Sequence, residues 1–274
     1  MPVTEDLAFN VDEVGIAYGR FRDLRLNSCY QPLYRVEDGF LAPFAVEALA
    51  VAFRDGRMIN ALALFAEADE SEQTALKRLC RVLHMRNFEN IGIEGLQLFF
   101  NADPGISTSD IEHLEWLFGE NDIEPSDVVC EITEAVGDDD ANLLALADGV
   151  RRTGARIAVD DFGSGHSTAA RVSLLRPDIV KIDARWFQAV ADRPEALAML
   201  PTLFARLRAQ GGEILVEGIE TPLHLVAALE AGADYLQGFL LARPALAGTI
   251  FDEAPLMIDD LMRGPVVPQR AGAG

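Results

Sequence analysis

The sequence predicts an α/β fold, a (β/α)8 barrel whose first strand runs antiparallel to its neighbour. Three observations predict it. Short, β-rich apolar runs alternate with longer amphipathic segments along most of the 274 residues. Eight such runs over roughly 250 residues match the size and rhythm of a single barrel. The first two runs are joined by "EDGFLAP", too short for a crossover helix, so they form an antiparallel hairpin. A doubly wound open sheet shares this alternation, but the GxGxxG fingerprint that would follow one of its strands is absent.

In chain order, residues 1–24 are a lead-in segment and 25–250 form the barrel domain. Residues 251–274 are a C-terminal helix or turn followed by a Pro/Gly/Ala-rich flexible tail. The strands fall at 29–36, 44–53, 96–102, 128–134, 156–161, 178–183, 213–220 and 235–239. The second is longer than the others. The interval 54–95 has room for two helices, supported by "ALALFAEADESEQTALKRLCRVLHMRN". Helices such as "DANLLALADGVRRTG" and "TPLHLVAALEAGA" run between the later strands, several of them closed by a Gly or Asn stop signal.

Composition narrows the function. Asp and Glu number 44 against 23 Lys and Arg, a net charge of −21. Such a surface repels polyanions, and no basic run offsets it, so long nucleic acids are excluded as partners. Cys29, Cys80 and Cys130 form no CxxC pair and fit buried thiols in a reducing compartment. No signal peptide opens the sequence and no apolar run is long enough to span a bilayer, so a cytoplasmic protein away from membranes is expected.

The strands end on polar groups. Glu47, Asn101, Glu131, Asp160 with Asp161, Lys181, Glu217 and Gln237 each sit on an otherwise apolar run. Singly, each is an ordinary cap, turn residue or ion-pair partner. Together they cluster, because the C-terminal ends of barrel strands converge on one face. Repelling carboxylates there need a counter-charge. Oxygen ligands without His or Cys suit Mg2+ or Mn2+, and the four histidines share no ligand spacing. Asp160 and Asp161 can divide their oxygens between two ions, which activate water against a phosphodiester. Lys181 can orient that water or stabilise developing charge.

These residues resemble a known family, the bacterial EAL-domain phosphodiesterases that hydrolyse cyclic di-GMP. The triplet is Glu47-Ala48-Leu49, preceded by Tyr30-Gln31-Pro32. "CEITEAV", "VDDFGSGHST", "DIVKID", "VEGIET" and "DYLQGFLLARP" follow in the family's order over roughly 25–245. The resemblance implies a modified TIM barrel with an antiparallel first strand. It implies metal ligands at Glu47, Asn101, Glu131, Asp160, Asp161 and Glu217. Lys181 would contact the attacking water, Glu217 and Asp161 would share in catalysis, and Glu134 would brace the loop 161–165. Glu220 would stand behind the ligands. Gln31, Leu49 and Gln237 are carried over as substrate-side residues, Gln237 also supporting the metal–water network. The implied product is linear pGpG. A homodimer through the loop after Asp161, and a signalling protein that conveys the input, are the implied partners besides cyclic di-GMP.

The match departs on the substrate side. Val51 stands where EALxR supplies a phosphate-binding arginine, a loss of about 1.5–3 kcal/mol for one charge-assisted contact. Arg54 and Arg57 are the next cations along. "GRMINALALFAEA" lacks the family's proline, Asn101-Ala102-Asp103 lacks the serine of Asn-x-Ser, and Ser164 and His166 replace Thr and Tyr. The resemblance therefore implies an intact metal half, a weakened hold on substrate, and as its alternative an inactive module that binds cyclic di-GMP or a protein.

Overall fold

The computed structural model describes residues 7–102, 108–132, 140–165 and 168–263. An N-terminal hairpin, β1 (Leu7–Val11) and β2 (Ala17–Phe21), leads into β3 (Leu24–Val36) and β4 (Phe40–Arg54). Short β5 (Arg57–Asn60) folds back on β4, and α1 (Ala61–Ala66) and α2 (Glu70–Phe88) follow. The chain then alternates through β6 (Gln97–Ala102), α3 (Thr108–Glu120), β7 (Val128–Ile132), α4 (Asp140–Thr153), β8 (Arg156–Phe162) and α5 (Ala169–Leu175). After β9 (Ile179–Ile182) come α6 (Ala184–Ala191), α7 (Pro194–Leu197) and α8 (Leu200–Arg208). β10 (Glu213–Val216), α9 (Pro222–Ala231) and β11 (Tyr235–Leu236) complete the ring. Short β12 (Ala245–Leu246), β13 (Leu256–Met257) and α10 (Ile258–Arg263) end the described chain.

Eight strands close on themselves in the order β3-β11-β10-β9-β8-β7-β6-β4. β3 is antiparallel to both neighbours, and every other neighbouring pair is parallel. The expected barrel with its antiparallel first strand is the fold found. The lead-in of 1–24 carries more than connection, since β2 pairs with β3 and brings β1 into the same sheet. β3 and β4 outrun the barrel. Their overhang packs with β2, α1 and α2 around a second core that includes Phe21, Leu24, Leu26, Ala52, Leu64, Leu76 and Leu83. The α2 N-terminus is fixed by Asp69 and Glu72 in a reciprocal capping box.

Inside the barrel, side chains stack in layers because strand residues alternate faces with a period of two. One layer is apolar: Leu33, Ala45, Phe99, Val129, Ala158, Ile179, Leu215 and Tyr235, with Phe44 stacked on Tyr235 at 4.2 Å. One interior step toward the mouth lies a second layer, Gln31, Glu47, Glu131, Asp160, Lys181, Glu217 and Gln237, with Asn101 at the same register but exposed. Each is two residues from its apolar partner, and β3 contributes Gln31 in reverse order because it runs the other way. The polar layer is thus a consequence of pleat and register. All three cysteines are buried and free. Among the described residues no helix is long and apolar enough to cross a membrane.

Candidate active site

Lys181 is the hub of the polar layer. It is 1% exposed, and its Nζ lies 2.6 Å from Glu131 Oε1, 2.8 Å from Glu217 Oε1, 3.3 Å from Asp160 Oδ1 and 3.6 Å from Glu47 Oε1. Four carboxylates therefore surround one ammonium. Gln237 donates from Nε2 to Glu47 Oε2 at 2.7 Å, which orients that carboxylate. Glu131 is completely buried, and neither of its oxygens has a well-aligned hydrogen bond. Its contact with Lys181 is electrostatic in character.

The twin aspartates reach one rim through a backbone irregularity. The β8–β9 register shifts between Val159 and Phe162, and Asp161 takes a left-handed conformation with φ 56°. A regular strand would send successive side chains to opposite faces; the bulge re-aims the second one. The Asp161 N–H donates to Asp160 Oδ1 at 2.9 Å. Beyond it, Gly163 has φ 106°, and an added Cβ would lie 2.6 Å from the Trp186 ring. The loop after the aspartates can therefore lie flat against α6 only with glycine there.

The electrostatics follow from this crowding. Burial, then Glu47, pushes the Glu131 carboxyl well above the usual carboxylate range, and Lys181 only partly offsets them. Burial and the neighbouring Asp160 and Glu47 push Glu217 up to about 8. Asp161 is raised by desolvation and by Asp160. For Lys181 burial works against the charge, but Asp160, Glu131, Glu217 and Glu47 together hold it well above the ordinary lysine value. Lys181 is consequently a fixed cation and donor.

These shifts predict a pH dependence for the metal-free protein. Glu131 and Glu217 bind protons more tightly when folded than when unfolded. Their stabilising contribution is complete below the ordinary 4.5 and is lost as pH rises, for Glu217 through about 8. His84 works in the opposite sense: burial depresses it to about 3, so it adds stability as pH rises toward its ordinary 6.5. Between about pH 6.5 and 8 only the carboxylates remain in play. Thermal melts should show the metal-free protein losing stability over that interval, and Glu217→Gln should flatten the fall.

A cavity of about 340 Å3 opens over the cluster, lined by Gln31, Glu47, Leu49, Asp160, Asp161, Lys181, Glu217, Glu220, Gln237 and Phe239 among others. Sequence reasoning brought most of these to the same rim. Asn101, the penultimate residue of β6, lines an adjoining chamber, and Leu49 forms part of both walls. Gln31 donates to the Ala242 carbonyl at 3.2 Å, bracing the turn after β11. Glu134 and His166 lie outside the described residues. Arg54 is no stand-in at position 51. Its guanidinium is held by Asp23 at 2.6 Å and Glu67 at 2.7 Å, at the far end of the overhang. Phe239 at the rim was missed; an aromatic directly after Gln237-Gly238 was the available signal.

Among the described residues no three His, Cys, Asp or Glu side chains are already gathered for a metal ion. Lys181 stands between the carboxylates instead. The residues nevertheless fit a divalent cation. The donors are hard oxygens, four carboxylates share one ammonium, and Glu131 Oε2 is buried without a hydrogen-bond partner.

The EAL domain family profile matches residues 18–244. The chain is 32% identical over 156 residues to the cyclic di-GMP phosphodiesterase RocR of Pseudomonas aeruginosa, covering 54% of this chain and 39% of that protein. It is 25% identical over 234 residues to the cyclic di-GMP phosphodiesterase NbdA of the same organism, covering 81% of this chain and 29% of the other. The chain thus spans less than half the length of these relatives. Among solved structures it resembles the Bacillus subtilis YkuI protein, which has an EAL domain and was determined with substrate c-di-GMP and calcium. The TM-score is 0.73 at 25% identity, over 87% of this chain and 60% of that one. Family match, closed barrel and acidic mouth agree, and the chain belongs to the EAL domain family.

Proposed function

We propose that this chain is a metal-dependent phosphodiesterase that opens cyclic di-GMP to linear pGpG. The observation that carries the reading is the ring of Glu47, Glu131, Asp160 and Glu217 around Lys181 at the C-terminal mouth of the barrel. Such a concentration of buried like charge lowers stability unless a cation is bound. The same ring is what a phosphodiester site needs. The relatives' activity and the ligands of YkuI point the same way.

Mg2+ or Mn2+, when bound, supplies an activated water and counter-charge for the phosphodiester oxygens. Glu47, Asn101, Glu131, Asp160, Asp161 and Glu217 would hold two such ions. Gln237 fixes the Glu47 carboxylate through the bond already described. The buried Lys181 stem keeps its ammonium aimed into the mouth, and the surrounding acids keep it protonated. It therefore donates a hydrogen bond to the attacking water or to a phosphate oxygen, and does not accept a proton. The apolar layer beneath closes the barrel to solvent from below.

Chromatography of cyclic di-GMP incubated with the protein and Mg2+ or Mn2+ tests this. Linear pGpG is expected from the wild type and not from Glu47→Ala. No product at high substrate, from folded protein with metal bound, would overturn it in favour of a binding module.

A further inference from the structure

We infer that Gln188 is a positioning residue for the acid ring, and that α6, which carries it, sets the spacing of Asp161 and Glu217 on the two sides of Lys181. The inference rests on the metal-dependent phosphodiesterase reading and adds what keeps two of its ligands in register.

β9, which carries Lys181, lies between β8 and β10. Regular pairing of β8 with β9 breaks after Val159, and β10 stops at Val216. Asp161 and Glu217 therefore both lie beyond the unbroken part of the sheet, and the loops that follow them need another support.

That support is one short helix. α6 begins directly after β9, capped by Asp183, whose Oδ1 accepts from Trp186 N at 2.8 Å. The Asp183 N–H donates to the Phe162 carbonyl at 3.1 Å. On one side the Trp186 ring lies against Gly163, two residues past Asp161. On the other, Gln188 Nε2 donates to the Gly218 carbonyl at 2.8 Å, one residue past Glu217. Two residues apart on a helix of 3.6 per turn, Trp186 and Gln188 point about 200° apart and so reach loops on opposite sides. Ala184, four residues before Gln188 and on its face, meets the same loop. Gly218 has φ 72°, and a Cβ there would lie 2.7 Å from Ala184 Cβ and 2.9 Å from Gln188 Nε2. The loop can approach α6 this closely only with glycine there. Ala184 and Gly218 both line the catalytic cavity, so the helix touches the site it braces. Without the Gln188 bond, the loop carrying Glu217 can drift from the one carrying Asp161. Support of this kind around a metal site is worth about tenfold to a hundredfold in affinity.

Titration of Mn2+, followed by electron paramagnetic resonance, into the wild type, Gln188→Met and Gly218→Ala tests the bracket, with melting temperatures in chelator. Gln188→Met keeps the side chain's volume and removes its donor; Gly218→Ala pushes the loop off the helix from the other side. Both should weaken Mn2+ uptake about tenfold. Gln188→Met should melt close to the wild type. In steady-state assays its kcat should fall with little change in KM for cyclic di-GMP, and excess Mn2+ should restore most of kcat. Wild-type Mn2+ affinity in Gln188→Met, whatever its melting temperature, would overturn the positioning role and leave the enzyme reading standing. A folded wild type that takes up no Mn2+ would overturn both.

Discussion

Replacing Lys181 with methionine is expected to destabilise the metal-free protein by about 3–5 kcal/mol and to abolish phosphodiester cleavage. Methionine fills a similar volume but leaves Glu47, Glu131, Asp160 and Glu217 facing one another without the ammonium between them. Removing one member of a buried charge cluster costs about that much, because the remaining charges keep their desolvation penalty and lose its compensation. The loss should be greater at pH 8 than at pH 5.5, since Glu131 and Glu217 can hold protons at the lower pH. Denaturant unfolding at both pH values in chelator measures it. A loss that Mn2+ largely restores, without restoring activity, would separate the two roles of the lysine.

Glu131→Gln should move stability in the opposite direction. Glu131 is completely buried, its charged form is disfavoured by burial and by Glu47, and three other carboxylates remain beside Lys181. The amide keeps the shape and removes one buried like charge. Metal-free stability at pH 8 should rise by about 1–2 kcal/mol, the scale of a one-unit pKa perturbation. On the proposed role of Glu131 as a direct metal ligand, activity should fall by more than about a hundredfold, more than the loss of an outer-shell partner costs. Unfolding in chelator and pGpG formation measure the two effects. The pair of substitutions is diagnostic because both destroy function while shifting stability with opposite signs. Such opposition is the signature of a site maintained for chemistry against the interest of the fold.

Most of the parallel-running strand ends were legible because their apolar runs are short and broken by a polar residue near the end. Alternation turns that intrusion into an inward position: Val129 and Glu131, or Ile179 and Lys181, must share a face. The antiparallel placement of β3 was legible from the length of one connection. The β1–β2 hairpin was not, because its residues alternate weakly and Phe9 and Val11 stay half exposed, so they read as lead-in. Nor could sequence show that Lys181 sits at the centre of the acids, since that depends on how neighbouring strands stagger. The left-handed turn at Asp161 was equally hidden: two adjacent aspartates look the same on paper whether they point together or apart. Arg54 was a fair candidate by proximity along the chain. β4 carries it past the mouth, where Asp23 and Glu67 capture it.

That the acid ring is a divalent-metal site is tested most directly by titrating Mn2+ into the protein at pH 8 and following the free ion by electron paramagnetic resonance. The account predicts saturable uptake of two ions per chain, with affinity reduced at least tenfold, about the lower bound for disturbing a metal shell, in Glu131→Gln. Absence of saturable uptake, or uptake that Glu131→Gln leaves unchanged, would contradict it.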